Sequence, residues 1–312
     1  MTNLRKIGLT ALAGTLATTA YAQAGELTVS GTARMEVQSN KVTTAAAVES
    51  ESDSFLNNGT LVFTGSGELD NGMGVSYMQA LADGSLTSSN VQLDMGDMGT
   101  LSMADHGGLA GIDSIQDIVP NGGEQPWDDI GTHGGHEDGV ASPHTGDRLG
   151  YKIDAGGVTI SAAADLDANG GTESIAVSSS SLVDGLKIVA GYADVQTTDL
   201  LEDEVTTYGA TFTMGAVSVG AQQTDVTGEG ASRDIERSAM GISMMINDNL
   251  SIGYGVSDVE YEEHSFDEES KEIGAVYTSG GMTIGLQNIT KDNKNGAAAD
   301  EEMTELQLTF AF

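Results

Sequence analysis

The last nine residues of the chain, 304–312 (TELQLTFAF), alternate strictly between apolar and polar or small side chains. Leucine and phenylalanine fall on one side of an extended chain, and glutamate, glutamine, threonine and alanine fall on the other. A period of two predicts a strand with unlike faces. The final residue is an aromatic one, Phe312. Transmembrane barrels place such residues at the membrane interface, so the segment predicts the last strand of a barrel.

The same alternation recurs along most of the chain, beginning with 27–37 (LTVSGTARMEV). Tight turn signals separate some segments, among them 71–72, 155–157, 247–249 and 280–281. Between them lie longer polar, acidic stretches at 38–58, 106–146, 194–204, 225–236, 260–271 and 291–303. Short turns at one rim and long loops at the other are typical of outer-membrane barrels. The pattern predicts an all-β fold, a transmembrane antiparallel β-barrel of about sixteen strands.

The composition agrees with a barrel that has a watery interior. Glycine is abundant, with 42 residues, while proline is rare, with 3, and aromatic residues make up 5%. A barrel needs only an outer apolar band, so this moderate polarity is expected. Proline would interrupt the hydrogen-bond ladders of a sheet, and all three prolines lie within 106–146. That stretch is therefore predicted to be a loop.

The amino terminus has the features of a secretory signal. Arg5 and Lys6 precede a short run of apolar and small residues, and Ala20-Tyr21-Ala22 is a small-x-small cleavage sequence. We therefore expect a signal peptide at 1–22 and a barrel domain at 23–312. A membrane-anchoring helix is the alternative, but the apolar run is shorter than the roughly 20 residues that span a bilayer.

Charge and cysteine content narrow the classes of function. The formal charge of the full chain is −35, and loss of Arg5 and Lys6 with the signal takes it to near −37. Such a charge excludes nucleic acid as a natural partner and predicts a surface or lumen that attracts cations. An exterior adapted to a salty habitat is the competing interpretation of the acidity. The chain has no cysteine, so no disulfide stabilises it.

The first strand, 26–37 (ELTVSGTARMEV), and the hairpin 60–75 (TLVFTGSGELDNGMGV) resemble those of the general diffusion porins of alphaproteobacteria. The strand at 98–103 and the terminal Phe312 are also similar. The resemblance covers most of the mature chain and implies a sixteen-stranded, trimeric outer-membrane channel, in contact with outer-membrane lipid and lipopolysaccharide. It further implies that the loop after the fifth strand, here 106–146, folds into the barrel as a constriction. The many His and Gly residues of this loop are not required by the family.

A diffusion pore selects solutes by its radius and by the charge of its wall. The strand periodicity places four basic residues on the inward side: Arg34, Arg148, Lys152 and Lys187. The 106–146 loop carries seven acids: Asp113, Asp117, Glu124, Asp128, Asp129, Glu137 and Asp138. We expect these carboxylates to face the wall cations across a constriction and to give a net preference for cations. A solvated external loop, and bases without effect on flux, are the alternatives, and a register slip of one residue would turn each base outward.

The same loop is the place to look for a metal or a pH response. Its histidines include His133 and His136, which with Glu137 and Asp138 form a weak candidate for a transition-metal site. Calcium bound by loop carboxylates is the better-supported prediction, because hard oxygen ligands are plentiful. Histidines that titrate near neutral pH could also gate the pore.

Catalysis has almost no support, because the chain has no cysteine, no G-x-S-x-G and no H-E-x-x-H. The leading interpretation is a passive porin for small hydrophilic solutes and ions. The alternatives are a non-conducting structural protein or adhesin with a plugged barrel, a soluble acidic exported β-protein, and a substrate-specific channel. The last would be suggested by aromatic residues along the lumen, and few are found at inward positions.

Overall fold

The computed structural model describes residues 27–106, 110–116, 118–127, 147–165, 171–198, 201–228, 234–262 and 264–312. The predicted signal peptide at 1–22 lies outside them. Within the described ranges, no helix is both long and apolar enough to cross a membrane.

Sixteen strands form one sheet. They are β1 Leu27–Thr43, β2 Glu49–Glu68, β3 Gly74–Ala82, β4 Ser85–Asp94, β5 Thr100–His106, β6 Arg148–Ala155, β7 Val158–Asp165, β8 Thr172–Ser179, β9 Leu186–Thr198, β10 Leu201–Met214, β11 Val217–Gly228, β12 Ile235–Asn247, β13 Leu250–Tyr261, β14 Glu268–Ser279, β15 Met282–Asp292 and β16 Asp300–Ala311. Short 3-10 turns occur at Gly96–Met98, Gly111–Ile115 and Lys294–Gly296.

The sheet closes on itself. Every strand pairs antiparallel with its neighbours in sequence, and β1 pairs with β16, with Arg34 opposite Thr309. Closure leaves no open sheet edge around the barrel, so the strand hydrogen bonds satisfy one another as a membrane requires. The predicted sixteen-stranded antiparallel barrel is confirmed.

The two faces of each strand differ as predicted. On β1, Val29, Met35 and Val37 are exposed on the outer surface, whereas Glu36 and Gln38 are buried inside. On β16, Leu306 and Phe310 point outward and Glu305 points inward. This distribution is the reverse of a water-soluble fold and matches an apolar band that faces lipid.

The two rims also differ, but less than predicted. The predicted turns at 71–72, 155–157, 247–249 and 280–281 lie at one end of the barrel, which we call the turn rim. At the opposite end, the loop rim, strands continue into the stretches that were predicted as long loops. Thus β1 continues as far as Thr43 and β2 begins at Glu49. Only a short connection, 44–48, remains of the predicted loop 38–58. A tight Asp83-Gly84 turn at this rim, with both residues at positive φ, was missed.

Candidate functional site

Part of the loop between β5 and β6 is described, residues 110–116 and 118–127, and we call these residues the docked segment. They lie inside the barrel against the inner wall, as predicted. Ile112 and Ile115 pack beside Ala176, Val189 and Ala193 of β8 and β9, where they are almost fully buried. Burial of an isoleucine side chain contributes roughly 1.5–3 kcal/mol. The largest apolar cluster within the described residues therefore joins the segment to the wall instead of filling the barrel.

A track of inward-facing glycines makes room for the segment. We call Gly191, Gly209, Gly220, Gly241 and Gly253 the glycine seat. A Cβ atom added at the first would lie 2.9 Å from Ile112 and Ile115, and at the second 2.6 Å from Ile118. At the third it would lie 2.7 Å from Pro120 Cδ, and at the last two it would collide with backbone carbonyls of the segment. Any larger residue at these positions would push the segment off the wall.

Side chains of the wall hold the segment's backbone. The hydroxyls of Ser161 and Ser174 accept hydrogen bonds from the N–H groups of Gly111 and Ile112, at 2.9 and 3.1 Å. Further along, the Thr211 hydroxyl donates to the Ile118 carbonyl at 2.5 Å. These contacts supply partners for backbone groups that would otherwise be buried without any.

The later part of the segment is held in the same way. Glu272 of β14 accepts from the N–H of Gly122 at 3.1 Å. Trp127, which is 1% exposed, lies beneath the Arg237 guanidinium, 4.6 Å from carbon Cζ to the ring centroid. A guanidinium at this distance from an indole is a cation–π contact.

Two ion pairs join predicted site residues across the seat. Arg148 Nη1 lies 2.7 Å from Asp113 Oδ2, and both side chains are about 4% exposed. Arg148 Nε also lies 3.8 Å from Asp165. At the other end, Arg34 Nη2 lies 3.3 Å from Glu124 and 3.5 Å from Glu305.

The Arg34 end of the segment contains more acid than base. Glu36 also contacts the Arg34 guanidinium, so three carboxylates surround one cation. Two amides complete the cluster: Gln287 and Gln307 donate to the two oxygens of Glu124 at 2.8 and 3.0 Å. Glu124 is therefore fixed in place by one charged and two neutral donors.

These contacts differ from the predicted arrangement. We expected loop carboxylates and wall cations to face each other across an opening, but Asp113 and Glu124 touch Arg148 and Arg34 directly. The charges therefore attach the segment to the wall. This contact could not be predicted from the sequence. The spacing of an acid and a base along the chain does not show whether they touch or lie on opposite sides of a lumen.

The other two predicted bases lie inward, nearer the turn rim. Lys152 is exposed on β6, and Lys187 is half-buried at the start of β9. Neither makes an ion pair with any residue that the structure describes.

The inner face of β2–β5, here called the bare wall, is made differently. Its inward positions include Thr64, Met78, Asn90 and Ser102. The sequence has no Lys or Arg between Lys41 and Arg148, so no strand of this wall carries a lysine or an arginine. On its turn-rim half, Thr64 and Gln92 are exposed.

Several predicted residues lie outside the described residues: Asp117, Asp128, Asp129, and the metal candidates His133, His136, Glu137 and Asp138. Within the described ranges, no three His, Asp or Glu side chains converge as a metal site would require. The calcium site and the histidine gate stay predictions.

Sequence reasoning missed the glycine seat and the wall residues that hold the segment, such as Ser161, Ser174 and Glu272. A signal was present, because β9 to β14 each have a glycine on the polar side near the middle of the strand. Glycine is disfavoured in strand interiors unless another backbone approaches closely.

Comparison with known proteins agrees with this architecture. A family model described as Gram-negative porin matches residues 8–312. No curated protein matches. Among solved structures, a porin refined at 1.8 Å resolution superposes with a TM-score of 0.67 at 18% identity, over 92% of this chain and all of that one.

Two other barrels match similarly. The anion-selective porin from Comamonas acidovorans gives a TM-score of 0.69 at 14% identity, over 92% of this chain and 100% of that chain. OmpT, an outer membrane protein of Vibrio cholerae, gives 0.68 at 11% identity, over 92% and 98%. At these identities the structures show the fold alone. The family match spans nearly the whole sequence, so this chain belongs to the Gram-negative porin family and is an outer-membrane channel protein.

Proposed function

We propose that this porin is a passive, cation-preferring channel for small hydrophilic solutes and ions. The observation that carries the proposal is the charge around the docked segment. Three carboxylates surround Arg34, two surround Arg148, and the bare wall opposite carries no lysine or arginine. An excess of acid over base in a lumen raises the local cation concentration and lowers that of anions.

Solutes would pass between the docked segment and the bare wall. The bare wall offers hydroxyl and amide groups, such as those of Thr64 and Gln92, which bond water and polar solutes without favouring either charge. The Comamonas porin is anion-selective on the same fold, so wall charge and not architecture would set the preference.

The test is conductance of the refolded mature protein in planar bilayers. Stepwise opening events support the channel, and a zero-current potential of the sign expected for cations supports its preference. A folded, heat-modifiable barrel that inserts but conducts no current would contradict the proposal.

A second candidate is a non-conducting structural barrel or adhesin. One observation favours it: inward-facing Val205, Val226, Met303 and Lys291, toward the loop rim, are almost fully buried. A packed loop-rim half would narrow or close the path. The same bilayer recording decides between the two, because a closed barrel gives no steps at any voltage.

We also propose that the protein is a homotrimer whose outer surface contacts outer-membrane lipid and lipopolysaccharide after removal of the signal at 1–22. The outward apolar band supports contact with lipid, and the family supports the assembly. The mass of the detergent-solubilised protein, measured by light scattering, tests the trimer. The amino-terminal sequence of the outer-membrane form tests cleavage after Ala22.

A further inference from the structure

A recess in the inner wall lies at the turn-rim end of β4, β5 and β6. Its volume is about 530 Å³. We call it the Lys152 recess. Its lining includes inward-facing side chains of three adjacent strands, Gln92, Asp94, Thr100, Ser102, Lys152 and Asp154, together with Asp97 of the turn between β4 and β5. Ala110 of the docked segment borders it. A solute that passes the segment toward the turn rim therefore meets this recess next.

Strand register fixes the charges of the recess. Asp94 lies opposite Thr100, and Thr100 lies opposite Lys152, so an acid and a base flank one neutral residue. Two strand spacings separate the Cα atoms of Asp94 and Lys152, roughly 10 Å. The four-carbon stem of lysine lets the ammonium group reach into this gap.

The charge of Lys152 is available to a solute. Nine Lys and Arg residues are described; six form ion pairs, and Arg237 lies over Trp127. Lys152 and Lys187 form no ion pair with the described part of the chain. Of these two, only Lys152 lines the recess, beside hydroxyl and amide groups.

Of the three acids of the recess, Asp94 and Asp154 each have one carboxylate oxygen held by a hydrogen bond. Asp94 Oδ1 accepts a hydrogen bond from the Gly96 N–H at 2.9 Å. Asp154 Oδ1 accepts from the hydroxyl of Thr159. Both side chains are exposed to the lumen. Because these hydrogen bonds use only Oδ1, they fix the direction of each carboxylate and leave Oδ2 to face a solute. The carboxylates are thus oriented before a ligand arrives, which lowers the entropy cost of binding.

We propose that the Lys152 recess is a weak binding site for small zwitterionic solutes, of the free α-amino acid class. The solute's carboxylate would pair with Lys152 and its ammonium group with Asp94 or Asp154. A simple anion is repelled by the three acids and a simple cation is repelled by the lysine, whereas a zwitterion can pair with both signs of charge. Weak binding is required, because a channel site must release its solute. The inference rests on the channel proposed above, and the recess would give that channel a preference for zwitterionic solutes.

Equilibrium binding tests this inference without any need for conductance. Saturation-transfer NMR with glycine as the probe would be run on the folded barrel in detergent. The variants are Lys152→Gln and, as a matched control, Lys187→Gln, which removes an inward lysine of the same rim outside the recess. We expect saturable transfer to glycine for the wild type and the control, and at least a tenfold weaker half-saturation for Lys152→Gln. Acetate and methylammonium, each with one charge of glycine, should bind more weakly than glycine to the wild type.

Two results would overturn the inference: no saturable transfer to the wild type, or equal half-saturation in Lys152→Gln and Lys187→Gln. The bilayer recording separates this outcome from failure of the channel. A barrel that conducts but does not bind glycine would contradict the binding site in the recess and leave the proposed channel intact. A barrel that binds glycine through Lys152 but passes no current would contradict the proposed channel and support the binding site.

Discussion

The glycine seat and the bare wall are parts of the same inner surface, yet they differ in side-chain size and charge. The seat consists of glycines on β9 to β13, against which the docked segment packs. Flanking it, Arg148 and Arg34 hold the segment through buried or half-buried ion pairs. The bare wall of β2–β5 has larger side chains, most of them neutral, and no lysine or arginine. One side of the barrel is therefore built to hold a polypeptide, and the other is suited to contact a solute.

The comparison teaches that a charge inside a barrel can serve structure before it serves flux. Arg148 and Arg34 were expected to shape a field across the pore, but both are in contact with carboxylates of the segment. In the proposed channel, the carboxylates that outnumber these two arginines are what would act on ions.

Replacing Arg148 by Met should have the largest effect. Asp113 and Asp165 would lose their buried cationic partner, and breaking such a pair typically costs about 3–5 kcal/mol. The loss should appear as release of the segment before the barrel unfolds. Trp127, the only tryptophan, reports on the segment by fluorescence, and far-UV circular dichroism reports on the barrel. In urea, the fluorescence midpoint should fall well below that of the dichroism signal.

Lys187→Met is the control for that change, because it removes an inward base that has no ion pair with the described residues. Its two midpoints should match those of the wild type. Equal shifts in Lys187→Met and Arg148→Met would show that Arg148 does not anchor the segment.

Replacing Gly241 by Ala should have the next largest effect. The added methyl group would collide with the Pro120 carbonyl, and overpacking of this kind typically costs about 1–3 kcal/mol. The unfolding free energy of the segment should fall by that amount, and single-channel conductance should change as the segment moves. Gly74→Ala on β3 is the matched control. Its Cβ would lie 3.5 Å from that of Asp94, an ordinary contact, so stability should change by less than about 0.5 kcal/mol.

Introducing a base on the bare wall should reduce the contrast in charge. Thr64 is exposed and inward-facing on β2, and Thr64→Arg would supply the cation that this wall lacks. A solvated charge near the ion path interacts by about 1 kcal/mol or less, so the potassium-to-chloride permeability ratio should fall by roughly two- to fivefold. Thr64→Gln is the neutral control. A ratio unchanged in Thr64→Arg would mean that ions do not pass along the bare wall.

The smallest effect is expected at the Lys41–Glu49 pair, where β1 meets β2 at the loop rim. The two side chains lie 3.5 Å apart and are both exposed. Lys41→Gln should change the unfolding free energy by less than about 0.5 kcal/mol, because exposed pairs contribute little. A loss comparable to that of Arg148→Met, measured by the same urea titration, would contradict the view that burial decides how much an ion pair contributes to stability.

Strand number and face were predictable because a barrel repeats one simple pattern. One face of each strand contacts lipid and the other faces the lumen, so outward residues are apolar at every second position. Leu306 and Phe310 of β16 show this pattern, as do Val29 and Met35 of β1. The ends of strands were less predictable. Polar residues at the loop rim, as in 38–58, continue the ladder, because main-chain hydrogen bonding there does not depend on apolar side chains.

The site was predictable in its members and less so in its contacts. Arg34, Arg148, Asp113 and Glu124 were named from periodicity and from the position of the loop. Their pairing depends on how the docked segment packs across strands that are far apart in sequence, and single-residue patterns do not carry that information. The glycines of the seat are visible in the sequence as inward positions that have no side chain. They indicate a binding surface only if a polypeptide is already expected to cover that wall.

We expect the excess of carboxylates over Arg34 and Arg148 to make this barrel prefer cations. The most direct test is the zero-current potential of the wild-type protein in a planar bilayer under a gradient of potassium chloride. The account predicts a potential of the sign set by potassium, which decreases in magnitude in Thr64→Arg. A potential of the sign set by chloride, from a barrel that conducts, would contradict it.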